Sequence, residues 1–288
     1  MFKTALADAQ GAISGFLDRE MARFGDGRVT DGMRYATSGG KRLRGFLTLQ
    51  SAALFDVPPD RALFAAGAVE CLHAYSLVHD DLPCMDDDDL RRGQPTVHVK
   101  WDEATAVLVG DALQTFAFEL LTEPRAGDDA QRVALLATLA RASGAQGMVL
   151  GQAQDIAAET AAAPLTLEQI TELQGNKTGR LIEWPAEAGA ILGRADPAPL
   201  RTYARAIGLA FQIADDILDV EGDAATAGKA LNKDAAAGKA TFVSLLGLEG
   251  AKARAADLVA EAEAALSPYG DKAHHLRALA RYIIARDK

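Results

Sequence analysis

The segment FAAGAVECLHAYSLVHDDLPCMD (64–86) decides the reading of this chain, because in it a mostly apolar helix runs directly into a group of aspartates. Pro83 is the expected stop, so Asp80 and Asp81 fall in the last turn. The carbonyl end of a helix carries partial negative charge, which disfavours acids there unless a cation joins them. A second segment, LRTYARAIGLAFQIADDILDVEGD (200–223), repeats the conflict. Its buried stripe is expected to be Leu200, Tyr203, Ile207, Ala210, Ala214 and Leu218, with Gly222 as its end. On the adjoining stripe Gln212, Asp215, Asp216 and Asp219 stand at i, i+3, i+4 and i+7, where like charges repel. One acidic run could be a solvated turn. Two at the ends of apolar helices point to an all-oxygen site for a hard divalent ion, with Mg²⁺ the natural occupant.

Phosphate is the expected companion of such an ion, and cations are grouped as if to meet it despite a net charge of −10. Lys41, Arg42 and Arg44 follow a glycine pair in SGGKRLRG (38–45), where backbone and side chains can both approach an anion. Arg91 and Arg92 follow the first acidic run. Lys177 and Thr178 stand in GNKTG, and Lys229, Lys233 and Lys239 in the stretch after the second run. Each alone reads as a surface charge, the common case for Lys and Arg. Together with two acidic clusters they read as a site for a polyphosphate bridged to the protein by Mg²⁺. A nucleic-acid groove does not fit the acidic balance.

Seven ordered segments, GGKRLRG, ECLHAYSLVHDDLPCMDDDDLRRGQPT, GDALQTFAF, GQAQD, KTG, FQIADDILD and YIIARDK, give nearly the whole chain a resemblance to the bacterial trans-prenyl diphosphate synthases, closest to those making farnesyl diphosphate. The four residues between Asp81 and Asp86 resemble the bacterial form of the first motif. The resemblance implies an all-α fold with a central apolar cavity, residues 1–288 forming a single domain, and a homodimer.

It also implies roles. Asp80, Asp81 and Asp86, with Asp215, Asp216 and Asp219, would hold Mg²⁺, typically three ions, Mn²⁺ being an alternative. Arg91, Lys177 and Lys239, with Lys229 a weaker candidate, would contact an allylic diphosphate. Lys41, Arg44, His73 and Arg92 would bind the diphosphate of isopentenyl diphosphate. His73 lies seven residues before Asp80, on the same helical face, although a lone helical histidine is more often simply packed. The Lys177 carbonyl, the Thr178 hydroxyl and the Gln212 amide would face a developing carbocation. The implied reaction is ionisation, condensation and proton loss, extending a five-carbon starter to ten and then fifteen carbons.

Chain length depends on what floors the tunnel below Asp80. At 1.5 Å per residue Tyr75 lies about 7.5 Å back and Ser76 about 6 Å. Geometry puts Ser76 and Leu72 nearer the face of Asp80, whereas the resemblance makes Tyr75 the stop. A geranylgeranyl or geranyl product remains the alternative. A terpene cyclase would have no need of Lys41, Arg44 and His73, and a silent partner subunit would be expected to lose one aspartate motif. One segment departs from the family pattern: RLIEWPAEAGAIL (180–192) places Pro185 where a kink or break is expected and bulky Trp184 beside the substrate tail.

Composition agrees with a helical enzyme. Half the residues (49%) are hydrophobic, enough for one large core, with no βαβ alternation or repeat. Loops are expected at 122–129, 159–166 and 195–199. The apolar runs are expected to fall short of a membrane span, and the start MFKTALADAQ lacks a signal-peptide apolar region. Cys71 and Cys84 offer no disulfide framework, which suits a reduced, cytoplasmic setting. GDALQTFAFELL (110–121) reads either as core or as a face for a second subunit.

Overall fold

The structure is a computed structural model and describes residues 2–161, 163–221 and 240–285. It is all-α, with one small hairpin among the described residues. The helices are α1 Phe2–Met21, α2 Arg28–Ala36, α3 Leu43–Ala53, α4 Pro59–Asp80, α5 Val97–Lys100, α6 Glu103–Thr122, α7 Asp129–Ser143 and α8 Met148–Glu159. They continue as α9 Leu167–Gln174, α10 Arg180–Leu192, α11 Ala198–Glu221, α12 Phe242–Leu246, α13 Leu248–Ala265 and α14 His274–Ile284. Strands β1 Leu90–Arg91 and β2 Gln94–Pro95 pair antiparallel across Arg92 and Gly93. Both turn residues have positive φ, 54° and 74°, as a two-residue hairpin of this hand requires.

Helix α4 stands at the centre, and its residues from Phe64 to Leu72 are all buried. It stops as expected. Asp81 caps it, and the orphan carbonyls of its last turn are met by the chain folding back: Asp86 N–H donates to the Asp80 carbonyl at 2.8 Å and Asp88 N–H to that of Asp81 at 3.3 Å. The acidic turn is therefore built, not merely solvated.

Helix α10 separates two apolar clusters. Leu181, Trp184, Ala188 and Leu192 join the core made with α1, α4, α6 and α7. Ile182, Ala186 and Ala190 join the one made with α3, α11, α13 and α14. Apolar residues on two of its faces bury α10 between the clusters, while Arg180, Glu183 and Glu187 mark its remaining face. Pro185 does not break it: α10 runs through that residue, whose carbonyl accepts from Ser51 Oγ at 3.0 Å. The expected position of Trp184 is also corrected. Its ring is 1% exposed in the core against α7, with Nε1 donating to Thr138 Oγ1 at 2.9 Å. It stands one turn from Leu181 on the same side of α10, but its ring is held toward α7 by the Thr138 bond and is not part of the lining of the cavity that holds Leu181.

The stripe expected on α11 is buried as far as Ala214, while Leu218 is half-buried. Gly222 lies outside the described residues. The expectation about apolar runs was wrong. Three helical stretches, Pro59–Asp80, Glu103–Thr122 and Asp129–Glu159, are long and apolar enough by length and composition to cross a membrane. For the first, 72% of the apolar window is buried, so its hydropathy is consumed by the core. The other two are buried over only 50% and 28%, leaving Val107, Leu108, Val133, Val149, Leu150 and Ile156 exposed on one run of helices.

Candidate active site

Two cavities meet at Arg44 and His73. The first, about 460 Å³, carries Lys41, Arg44, His73 and Arg92 at a cationic mouth above an apolar floor that includes Ile207 and Phe211. The second, about 420 Å³, takes in Tyr75, Ser76, Asp80, Lys177 and Thr178.

The cationic mouth is held by close backbone geometry. Gly39 and Gly40 have φ of 69° and 82°, and a Cβ on Gly40 would meet the Arg92 guanidinium at 2.8 Å, so a larger residue there would displace that side chain. Beneath lies Glu70, which had no assigned role in the sequence. It is 5% exposed, accepts from Gly45 N–H at 2.8 Å and pairs with Arg42 at 3.5 Å. The Nε atoms of Arg42 and Arg44 are buried without a hydrogen-bond partner, a donor surplus that an anion would satisfy. Burial, followed by the charges of Arg44, Arg92, Arg91 and Arg42, holds His73 well below the usual imidazole range, so its ring is neutral at pH 7. Burial also lowers Arg44 and Arg92.

At the first acidic cluster, Asp81 is 3% exposed and accepts from two donors of Arg91: Nε, shared between its oxygens at 2.7 and 2.9 Å, and Nη2, at 2.5 Å to Oδ1. This fork-like pairing fixes the carboxylate. Burial raises Asp81 even so, with the Arg91 hydrogen bond opposing. Burial pushes Asp80 up to about 6; Asp86 and Asp81 add to the shift, and Lys177 and Arg91 oppose it. Negative charge is thus crowded here, as suits an oxygen-donor site for a hard cation. Among the described residues no group of three or more His, Cys, Asp or Glu side chains is gathered closely enough to hold an ion by itself. Mg²⁺ ordinarily completes its shell with waters and substrate phosphates, so the donor set still fits.

The second cluster reaches the cavity through a relay. Thr178 Oγ1 donates to Gln212 Oε1 at 3.1 Å, and Gln212 Nε2 donates to Asp215 Oδ2 at 3.5 Å. Asp216 Oδ2 accepts from Phe242 N–H at 2.6 Å. Thr178 and Lys177 sit in a π-helical turn, Gly175–Gly179, between α9 and α10. Such wide turns recur at functional sites because they re-aim side chains within a continuous helix.

Helix α8 explains why that turn is held. A Cβ on Gly151 would lie 2.0 Å from Lys177 N. With glycine there, the backbones approach, Asp155 Oδ2 takes the Lys177 ammonium at 2.7 Å and Gln154 Oε1 takes Asn176 Nδ2 at 3.1 Å. Asp155 was missed in the sequence, although GQAQD carried it. Tyr75 is 7% exposed, hydrogen-bonds through its side chain with Gln114 and meets His79 edge-on at 5.6 Å. Tyr75 and Ser76 both line the second cavity, opposite Met148, Val149 and Ile156 of α8. Gln114 was likewise not anticipated. Lys229, Lys233 and Lys239 lie outside the described residues. Cys71 and Cys84 are unpaired, and burial raises the Cys71 thiol far above its usual range.

An all-α bundle with aspartate clusters on two helices and a cationic mouth defines an isoprenoid synthase architecture. The family model described as polyprenyl synthetase matches residues 27–274, and the chain belongs to that family. It is 47% identical to the farnesyl diphosphate synthase of Escherichia coli over 270 residues, covering 90% of each chain. It is 45% identical to the chloroplastic geranylgeranyl pyrophosphate synthase of Capsicum annuum, covering 90% of this chain and 72% of that one. The crystal structure of an FPP/GFPP synthase from Zymomonas mobilis superposes with a TM-score of 0.90 at 49% identity, covering 98% of each chain.

Proposed function

We propose that the chain condenses isopentenyl diphosphate with dimethylallyl and then geranyl diphosphate to give farnesyl diphosphate. The observation that carries this reading is the junction at Arg44 and His73, where a cationic mouth opens beside an apolar cavity containing Asp80 and Lys177. It provides two anion positions and one tail compartment, as the joining of two diphosphates requires.

Asp80, Asp81 and Asp86, with Asp215, Asp216 and Asp219, would hold Mg²⁺, three ions being proposed. When bound, these ions supply positive charge against a departing diphosphate. Lys177 and Arg91 add fixed positive charge on the same side, joined by Lys239 and more weakly by Lys229. Lys41, Arg44, Arg92 and neutral His73 hold the second diphosphate, donating hydrogen bonds that orient its double bond toward the allylic carbon. The Thr178 hydroxyl, the Gln212 amide and the Lys177 carbonyl supply oxygen dipoles for the allylic cation, while the apolar helices keep water from it. Loss of a proton to the released diphosphate completes each cycle. No covalent enzyme intermediate is needed.

Tyr75 floors the tail compartment, with its ring fixed by Gln114 and His79. A longer product is the second reading, favoured by the soft opposite wall of Met148, Val149 and Ile156. The exposed apolar residues of α6, α7 and α8 support a homodimer in which a second copy covers them. The test is a product assay with isopentenyl diphosphate, dimethylallyl diphosphate and Mg²⁺, read by mass. A fifteen-carbon product is expected, and no condensation would overturn the reading. Tyr75→Ala is expected to lengthen the product; an unchanged length would move the floor to α8.

A further inference from the structure

Helix α10 presents three faces to three cavities. Leu181 lines the tail compartment and Ile182 the cationic mouth. The third face closes a cavity of about 260 Å³ between α7, α10 and α11, where Arg141, Arg180, Arg201 and Arg205 surround Glu183 and Glu187. Four guanidiniums thus face two carboxylates, an excess of two positive charges.

The carboxylates are anchors. Each glutamate is 8% exposed. Glu183 Oε1 accepts from Arg205 Nε at 3.1 Å and Nη2 at 2.8 Å, and its Oε2 accepts from Arg180 Nη1 at 3.4 Å. Glu187 Oε1 pairs with Arg201. Two arginines retain spare donors: Arg180 Nε is buried without a hydrogen-bond partner, and the exposed Arg141 side chain enters none of the side-chain hydrogen bonds or ion pairs among the described residues. A guanidinium has five N–H donors and no acceptor, so two carboxylates cannot saturate four of them. The cavity opens to solvent, the Arg180, Arg201 and Arg205 side chains being 41%, 39% and 64% exposed, so water covers the remaining donors and an anion with several acceptor oxygens on a compact group can replace it. Phosphate chemistry supplies such a group, and arginine forks match it geometrically. An isoprenoid tail does not fit these charged walls.

We infer that this cavity is a second anion site, distinct from the substrate site, for inorganic diphosphate or the phosphate end of a small ester. Its Arg180 directly follows the π-helical turn that carries Lys177 and Thr178, so an occupant lies one residue from the wall of the tail compartment.

The test is calorimetric titration of the full-length protein with inorganic diphosphate, without Mg²⁺. The Arg141→Gln/Arg205→Gln variant is run beside an Arg44→Gln/Arg92→Gln variant of the cationic mouth. Two binding events are expected in the unaltered protein, with the first variant losing one and the second the other. Should the proposed substrate site be wrong, only the Arg44→Gln/Arg92→Gln titration would match the unaltered protein, and the cavity site would still be seen to disappear in its own variant. Arg141→Gln alone leaves every recorded ion pair intact and is expected to weaken the cavity event roughly tenfold, the effect of one charge-assisted hydrogen bond. An isotherm unchanged in both Arg141 variants, or no event beyond the one removed at the cationic mouth, overturns the inference. Parallel titration with inorganic phosphate separates the two ligand sources: equal affinity indicates a single phosphate group as the recognised unit, and much tighter diphosphate binding indicates both.

Discussion

The two aspartate clusters carry the same residues in different settings. The first closes a helix: its turn folds back on the carbonyls of α4, and Asp81 is held by Arg91 through both Nε and Nη2. The second lies within α11, and its supports come from elsewhere in the chain, Thr178 through Gln212 on one side and the backbone of Phe242 on the other. The first cluster is therefore rigid by local construction, whereas the second is assembled by packing. This difference teaches that a carboxylate can be readied for a cation either by an internal guanidinium or by a relay from a neighbouring helix.

The largest expected effect treats the clusters as equals. Asp80→Ala and Asp215→Ala should each lower turnover by roughly 10²–10³-fold or more, the scale of losing one stabilising group around developing charge, while circular dichroism stays unchanged. Near-normal turnover in either would break the comparison at that cluster. Next comes Gly151→Ala, which places a methyl group against Lys177 N. Turnover should fall sharply and stability by about 1–3 kcal/mol, the usual range for overpacking, measured by urea unfolding.

Stability then separates the clusters. Arg91→Gln leaves the buried Asp81 carboxylate without its partner and should cost about 2 kcal/mol, reduced from a fully buried pair because Arg91 is partly exposed. Asp216→Asn keeps an acceptor for Phe242 N–H and should cost about 1 kcal/mol or less. Equal costs would remove the distinction between local and relayed support.

The smallest effect concerns acid. His73 has a depressed pKa in the fold, so the unfolded chain takes up its proton first as pH falls. The stabilisation is complete above about pH 6.5, the unfolded value, and is lost below it by up to about 1.4 kcal/mol per pH unit until the folded value is reached. Comparing unfolding at pH 7.5 and 5.5, His73→Gln should lose less stability than the unaltered protein. An equal loss would show that His73 is not among the groups setting acid sensitivity.

Much of this was legible beforehand. Pro83 after an apolar run marked the end of α4, and the aspartate spacing on α11 marked a shared face. The order of the motifs gave the family and thereby the architecture. Asp155, Gln114 and Glu70 were not legible as partners, because each acts on a residue far away in sequence. Pro185 and Trp184 misled for the same reason. A proline signals a lost backbone hydrogen bond, but whether the helix continues depends on the packing around it, and the direction of Trp184 depends on α7.

The sequence by itself determined where the apolar helices lie, the end of α4 before Pro83 and the types of charge gathered near each motif, since periodicity and proline act within a few residues. Only the tertiary structure decided which charges neutralise one another, how closely α8 approaches the π-helical turn, and that α10 divides the interior among three cavities. Those outcomes depend on distances between residues brought together by burial of apolar surface, a force that is proportional to area and carries no record of sequence order.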